Sequence, residues 1–84
     1  MNVAPEKTIR DLVTDFLGSA PTLEEIAAYR LPEALQARAH DLLEKNRAGA
    51  LSPSEQAEME EFRELDHLLT LVKAKARLNL KARA

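Results

Sequence analysis

The sequence predicts an all-α fold: a small bundle of four helices, built on an antiparallel hairpin of the third helix with a long fourth one. Three observations carry this expectation. Fourteen Ala and fourteen Leu make up a third of the 84 residues, and both stand high on the helix-propensity scale. Strand-formers are scarce, with 3 Val, 2 Ile, 4 Thr, 2 Phe, 1 Tyr and no Trp, too few to cover the pleated face of a sheet. Apolar residues recur at three-four spacing between successive sets of cap residues, the pattern of helices with one buried face. A length of 84 residues allows one domain, and folding would bury roughly 60–65% of the unfolded surface, which makes an isolated monomer marginal.

The first helix is expected over about residues 5–17. Ile9, Leu12, Val13, Phe16 and Leu17 fall on one face, Pro5 and Glu6 suit a first turn, and Gly18 suits a left-handed stop. A short second helix is expected over about 23–30. Thr22 and Glu25 form a capping box, and Pro32 turns Leu31 away from helical backbone. Such a short helix has no stability of its own in water and survives by docking. The third, about 33–48, begins at Pro32 and places Leu35, Ala39, Leu42 and Leu43 on one side, with Gly49 as its stop. Ser52-Pro53-Ser54-Glu55 is the clearest start signal in the chain, an N-cap serine, a first-turn proline and a box-closing glutamate. No Gly or Pro follows, so the fourth helix is expected over about 53–80.

That fourth helix outruns its neighbour. Some 28 residues rise roughly 42 Å against roughly 24 Å for the third helix, so the last 10–12 residues run past the hairpin, to be covered by the first two helices or by a partner. Met59, Phe62, Leu65, Leu68, Leu69, Val72, Ala76 and Leu80 form a core stripe facing Leu35, Ala39, Leu42 and Leu43. Leu71 and Leu78 fall about 160–180° from Phe62, on the opposite side. Two leucines in register imply a second contact, either with the first two helices, the preferred reading because four helices must wrap, or with another chain.

Charge is uneven. The chain has 12 cations and 14 carboxylates, yet the last carboxylate is Asp66. Residues 1–72 carry seven cations against fourteen carboxylates, a balance of −7, while Lys73, Lys75, Arg77, Lys81 and Arg83 give the last twelve residues +5. This basic end marks a candidate contact segment. Cations in the last turns of a helix also complement its dipole.

Catalytic and metal chemistry find little support. No Cys is present, which excludes disulfide scaffolds, thiolate zinc sites and thiol nucleophiles. His40 and His67 lie on different helices. Glu64 and His67 form a Glu-x-x-His pair, but a di-iron bundle needs two such motifs and two more inward carboxylates. Ser19, Ser52 and Ser54 are accounted for by turns and caps, and no glycine-rich loop exists to cradle phosphate. The expectation is a non-enzymatic chain with no cofactor, no metal and no small-molecule substrate. No apolar run approaches a membrane span, and the first residues carry no signal-like apolar stretch, so an uncleaved cytoplasmic protein is expected.

Leu42-Leu43-Glu44-Lys45-Asn46-Arg47-Ala48-Gly49-Ala50-Leu51-Ser52-Pro53-Ser54-Glu55, with Glu61-Phe62 and Lys73-Ala74-Lys75-Ala76-Arg77, resembles a group of short, uncharacterised bacterial helical proteins. Their pattern is a leucine helix, an Asn-Arg-x-Gly turn, a Leu-Thr/Ser-x-x-Glu restart and a Lys-Ala-x-Ala-Arg end. Ser19-Ala20-Pro21-Thr22-Leu23-Glu24-Glu25-Ile26 matches the group's second-helix entry, so the resemblance spans about residues 16–80. It implies a small accessory or antitoxin-like protein, of a kind often encoded beside a small nuclease.

The expected function is therefore a protein–protein interaction module, binding a partner or its own copy through the fourth helix. Leu71, Leu78, Lys73, Lys75, Arg77, Lys81 and Arg83 are the candidate contact residues. The alternative is a weak nucleic-acid accessory using the five cations, whose binding would be salt-sensitive and blind to sequence.

Overall fold

A computed structural model describes residues 8–83 of the chain. Its described residues form four helices and no strand: α1 (Ile9–Gly18), α2 (Leu23–Ala28), α3 (Glu33–Arg47) and α4 (Pro53–Arg83). Pro5 and Glu6, expected in the first turn of α1, lie outside the described residues. The start that is described is a capping box three residues further on. Thr8 Oγ1 accepts from the Asp11 backbone N–H at 3.1 Å, and Asp11 accepts in return from the Thr8 N–H.

The other starts follow the sequence closely. Thr22 and Glu25 exchange hydrogen bonds at 3.1 and 2.8 Å, and Ser52 and Glu55 do so at 3.1 and 3.0 Å. Each box satisfies two backbone donors that a helix start would otherwise leave open. Two stops differ from expectation. Gly18 remains helical, and the left-handed residue is Ala20, at φ 58°; the Ser19 hydroxyl instead closes the end by donating to the Phe16 carbonyl at 2.6 Å. Helix α2 ends at Ala28 because Tyr29 is already extended, with ψ 136°.

Helix α4 is the spine. Each of α1, α2 and α3 makes its main helix contact with α4 rather than with one another. The core is correspondingly a strip: Ile9 and Val13 of α1, Leu42 of α3, and Met59, Phe62 and Leu65 of α4. Leu69 and Ala76 continue it along α4, in the stretch against which α2 lies. Of the expected core residues, Leu35, Ala39, Val72 and Leu80 are only partly buried and two are exposed. Leu43 and Leu68 are 47% and 45% exposed, since each sits at the edge of its apolar face, where a single flanking helix does not reach.

Ion pairs fasten the shorter helices to the spine. Arg38 of α3 grips Glu58 through Nε and Nη2, both at 2.8 Å, and Lys45 Nζ donates to Glu55 at 2.6 Å. Arg10 of α1 reaches Glu61 and Glu64, each at 3.0 Å. The hydrogen bond from Lys45, helped by the Ser52 backbone, holds the Glu55 carboxyl at a pKa of about 2, and Arg38 likewise lowers Glu58. Carboxylates in the first half of α4 are thus in good part the anchor points of α1 and α3.

Candidate partner-binding surface

The seven candidate residues do not share one side of α4: Lys73, Arg77 and Lys81 follow one line at four-residue steps, and Leu71, Lys75 and Leu78 lie on the opposite side. Lys73 and Arg77 project towards α2. The Lys73 ammonium donates to the Tyr29 carbonyl at 2.7 Å and the Arg77 guanidinium to the Ala27 carbonyl at 3.3 Å. These acceptors lie at the C-terminal end of α2, where carbonyls lack intrahelical partners and the helix dipole is negative. The two cations complement a dipole, but that of α2 rather than that of their own helix. Against the same region Phe16 and Tyr29 stack with ring centroids 4.2 Å apart, and partial burial raises the Tyr29 hydroxyl above its usual pKa.

The two leucines stand free. Leu71 is 47% and Leu78 66% exposed, so α1 and α2 do not wrap round to cover them, contrary to the preferred reading of their spacing. The reason is positional: α2 docks on the side of α4 that carries Lys73 and Arg77, about half a turn away. The side chains of Lys75, Lys81 and Arg83 are exposed and enter no hydrogen bond or ion pair with another described residue.

Leu68 joins Leu71 and Leu78, a member that sequence reasoning assigned to the core. The signal that would have placed it outside is its rotation of about 120° from Phe62, off the centre of the buried stripe. A smaller apolar surface lies between α3 and α4. There Leu31, Ala39, Leu42, Leu43, Met59 and Phe62 line a groove of about 380 Å3, edged by His40, Arg63 and Asp66.

Groups suited to chemistry do not converge. Glu64, half of the Glu-x-x-His pair, is bound by Arg10, and both it and His67 are exposed. His40 is 3.9 Å from Glu44 on its own helix. Among the described residues no three His, Asp or Glu side chains are grouped to hold a metal ion, and no helix is long and apolar enough to cross a membrane.

The arrangement is that of an all-α chain with one exposed, partly apolar helix face. Comparison with protein-family models, with curated proteins and with solved structures finds no match.

Proposed function

We propose that this chain is a non-catalytic protein–protein interaction module that docks through the outer face of α4. One observation carries the reading: α1, α2 and α3 all pack on a 31-residue helix, yet Leu68, Leu71 and Leu78 of that helix stay exposed. Single exposed leucines are ordinary, whereas three at helical spacing beside free lysines form the kind of anchor line that helix-docking partners use. In this reading α3 and the first half of α4 act as an antiparallel hairpin that stiffens the spine. Lys75 sits beside the leucines and Lys81 and Arg83 follow them towards the end of α4, while Lys73 and Arg77 position α2. Two of the five cations needed for a nucleic-acid role are therefore engaged within the fold. A small accessory or antitoxin-like role, as the sequence resemblance implies, is one biological setting for such a module.

The test is affinity capture from extract of the native host, with the wild-type chain and with Leu71→Asp/Leu78→Asp, after circular dichroism has shown equal helix content. Specific capture by wild type and its loss in the variant is the expected result. Equal capture by both chains overturns the assignment of this face.

A further inference from the structure

We infer that the occupant of the outer face of α4 is a second copy of this chain, its α4 running antiparallel to the first. The inference rests on the docking role proposed for that face and names its partner. It starts from a repeat. Along the outer face, alternating steps of four and three residues run without a break from Ala57 to Ala82, the spacing of a two-stranded coiled-coil seam. Every position on that line is at least partly exposed. Lys73 and Arg77, which fasten α2, and Glu55, which binds Lys45 of α3, project at least about 100° away round the helix. The seam spans about 38 Å; α1 borders it at Glu61 and Glu64, which Arg10 binds, and Leu68, Leu71, Lys75, Leu78 and Ala82 beyond them are exposed.

The chemistry of the seam changes in order. Glu61 and Glu64 occupy its first part, Leu68 and Leu71 its middle, and Lys75 and Leu78 its last part. A parallel pair would set Glu64 against Glu64 and Lys75 against Lys75, like charges at facing positions of the seam. An antiparallel pair centred between residues 69 and 70 reverses both. Leu68 then meets Leu71 of the second copy, and Leu71 meets its Leu68, as facing core layers. Glu64 meets Lys75 of the second copy on either side of that centre, and Ala57 meets Ala82 at both ends. Leu78 falls opposite Glu61, whose carboxylate Arg10 neutralises, and rests on the methylene stems of that pair. Arg10 uses only Oε1 of Glu64, leaving Oε2 for the incoming lysine. All these contacts fall in one register without adjustment. Charge order selects the antiparallel direction, as seam and flanking charges do in coiled coils generally.

Residues 64 and 75 lie about 16 Å apart within one helix, so any coupling between them is intermolecular. The test measures molar mass by size exclusion with light scattering across a concentration series. Wild type should be dimeric. Glu64→Lys and Lys75→Glu should each dissociate at least about tenfold more readily, because each homodimer then faces like charge twice. An equimolar mixture of the two variants should recover the dimer, since every facing pair is again opposite in charge. Lys75→Glu breaks no ion pair seen within the chain, so its behaviour is independent of the Arg10–Glu64 bond. Direction is read by oxidative cross-linking: Leu68→Cys mixed with Leu71→Cys should link faster than either variant alone. A wild-type monomer at the highest soluble concentration, variants that dimerise like wild type, a mixture that fails to recover, or fastest linking by Leu71→Cys alone each overturns the proposal. A monomer that still captures another protein through Leu71 and Leu78 overturns only self-pairing. A monomer without that capture overturns the docking face as well.

Discussion

Gly49 and Ala20 are the two residues with positive φ among those described, at 68° and 58°, and they set opposite problems for the chain. Gly49 follows α3 in a complete Schellman arrangement: its N–H donates to the Asn46 carbonyl at 3.0 Å, and the Ala50 N–H donates to the Lys45 carbonyl at 2.9 Å. The left-handed turn lets two otherwise open carbonyls find donors. A Cβ at Gly49 would meet nothing within 4 Å, so replacement there costs only the backbone preference of an L-residue. Ala20 bears that cost already, in the turn before Pro21. Gly49→Ala is expected to lower stability by about 1 kcal/mol. Ala20→Gly is expected to raise it by about 0.5 kcal/mol, the relief being partly offset by the freer unfolded chain. Urea unfolding followed by circular dichroism measures both, and equal signs for the two changes would contradict the account.

Helix α2 shows how an element of six residues persists when isolated helices of that length do not. Its start is closed by the Thr22–Glu25 box, its end by cations from α4, and its flank by the Phe16–Tyr29 stack. Removing the Lys73 charge while keeping its length, as Lys73→Met, takes a charged donor from the Tyr29 carbonyl. The expected cost is about 1.5 kcal/mol. It should appear as faster hydrogen exchange in α2 while the amides around Leu42 and Phe62 keep their protection, and uniform loss of protection would deny α2 its own docking bond. The helices and two of their capping boxes, Thr22–Glu25 and Ser52–Glu55, were legible in the sequence because each box joins residues three apart, and Gly49 was legible as a stop. The Thr8–Asp11 box was not read, and Gly18 is helical where a stop was expected. Lys73 was not legible as a clamp, because its acceptor lies 44 residues away. The same holds for Arg10, whose partners are 51 and 54 residues off. Such pairs depend on the angle and height at which two helices meet, which periodicity does not encode. Leu71 and Leu78 were singled out from rotation along one helix alone, but whether another helix would cover them depended on where α2 docks.

At the scale of the whole molecule, shape and core tell the same story. The described residues measure 48 × 34 × 18 Å with a radius of gyration of 15.3 Å, against about 12 Å for a compact domain of similar length. A flat layer on a long spine buries few side chains completely, and Leu42, Val13 and Ile9 are the largest of them. Leu42 is the one buried residue that α3 contributes, so its truncation removes the centre of the α3–α4 contact. Leu42→Ala is expected to cost about 3 kcal/mol, a large share of what a small core supplies, and to abolish a cooperative thermal transition or lower its midpoint by well over 10 °C. Leu71→Ala is expected to change stability by less than about 0.5 kcal/mol in dilute solution, where its side chain is already half in water. The two substitutions separate again on concentration. Association that involves only the folded chain raises the melting temperature by mass action, so wild type should melt higher as it is concentrated, and Leu71→Ala should lose most of that rise. Melting curves at two concentrations a hundredfold apart measure the difference. A wild-type midpoint independent of concentration, or a Leu71→Ala chain that keeps the full rise, would mean that the bare face of α4 contributes nothing to the stability of the assembled molecule.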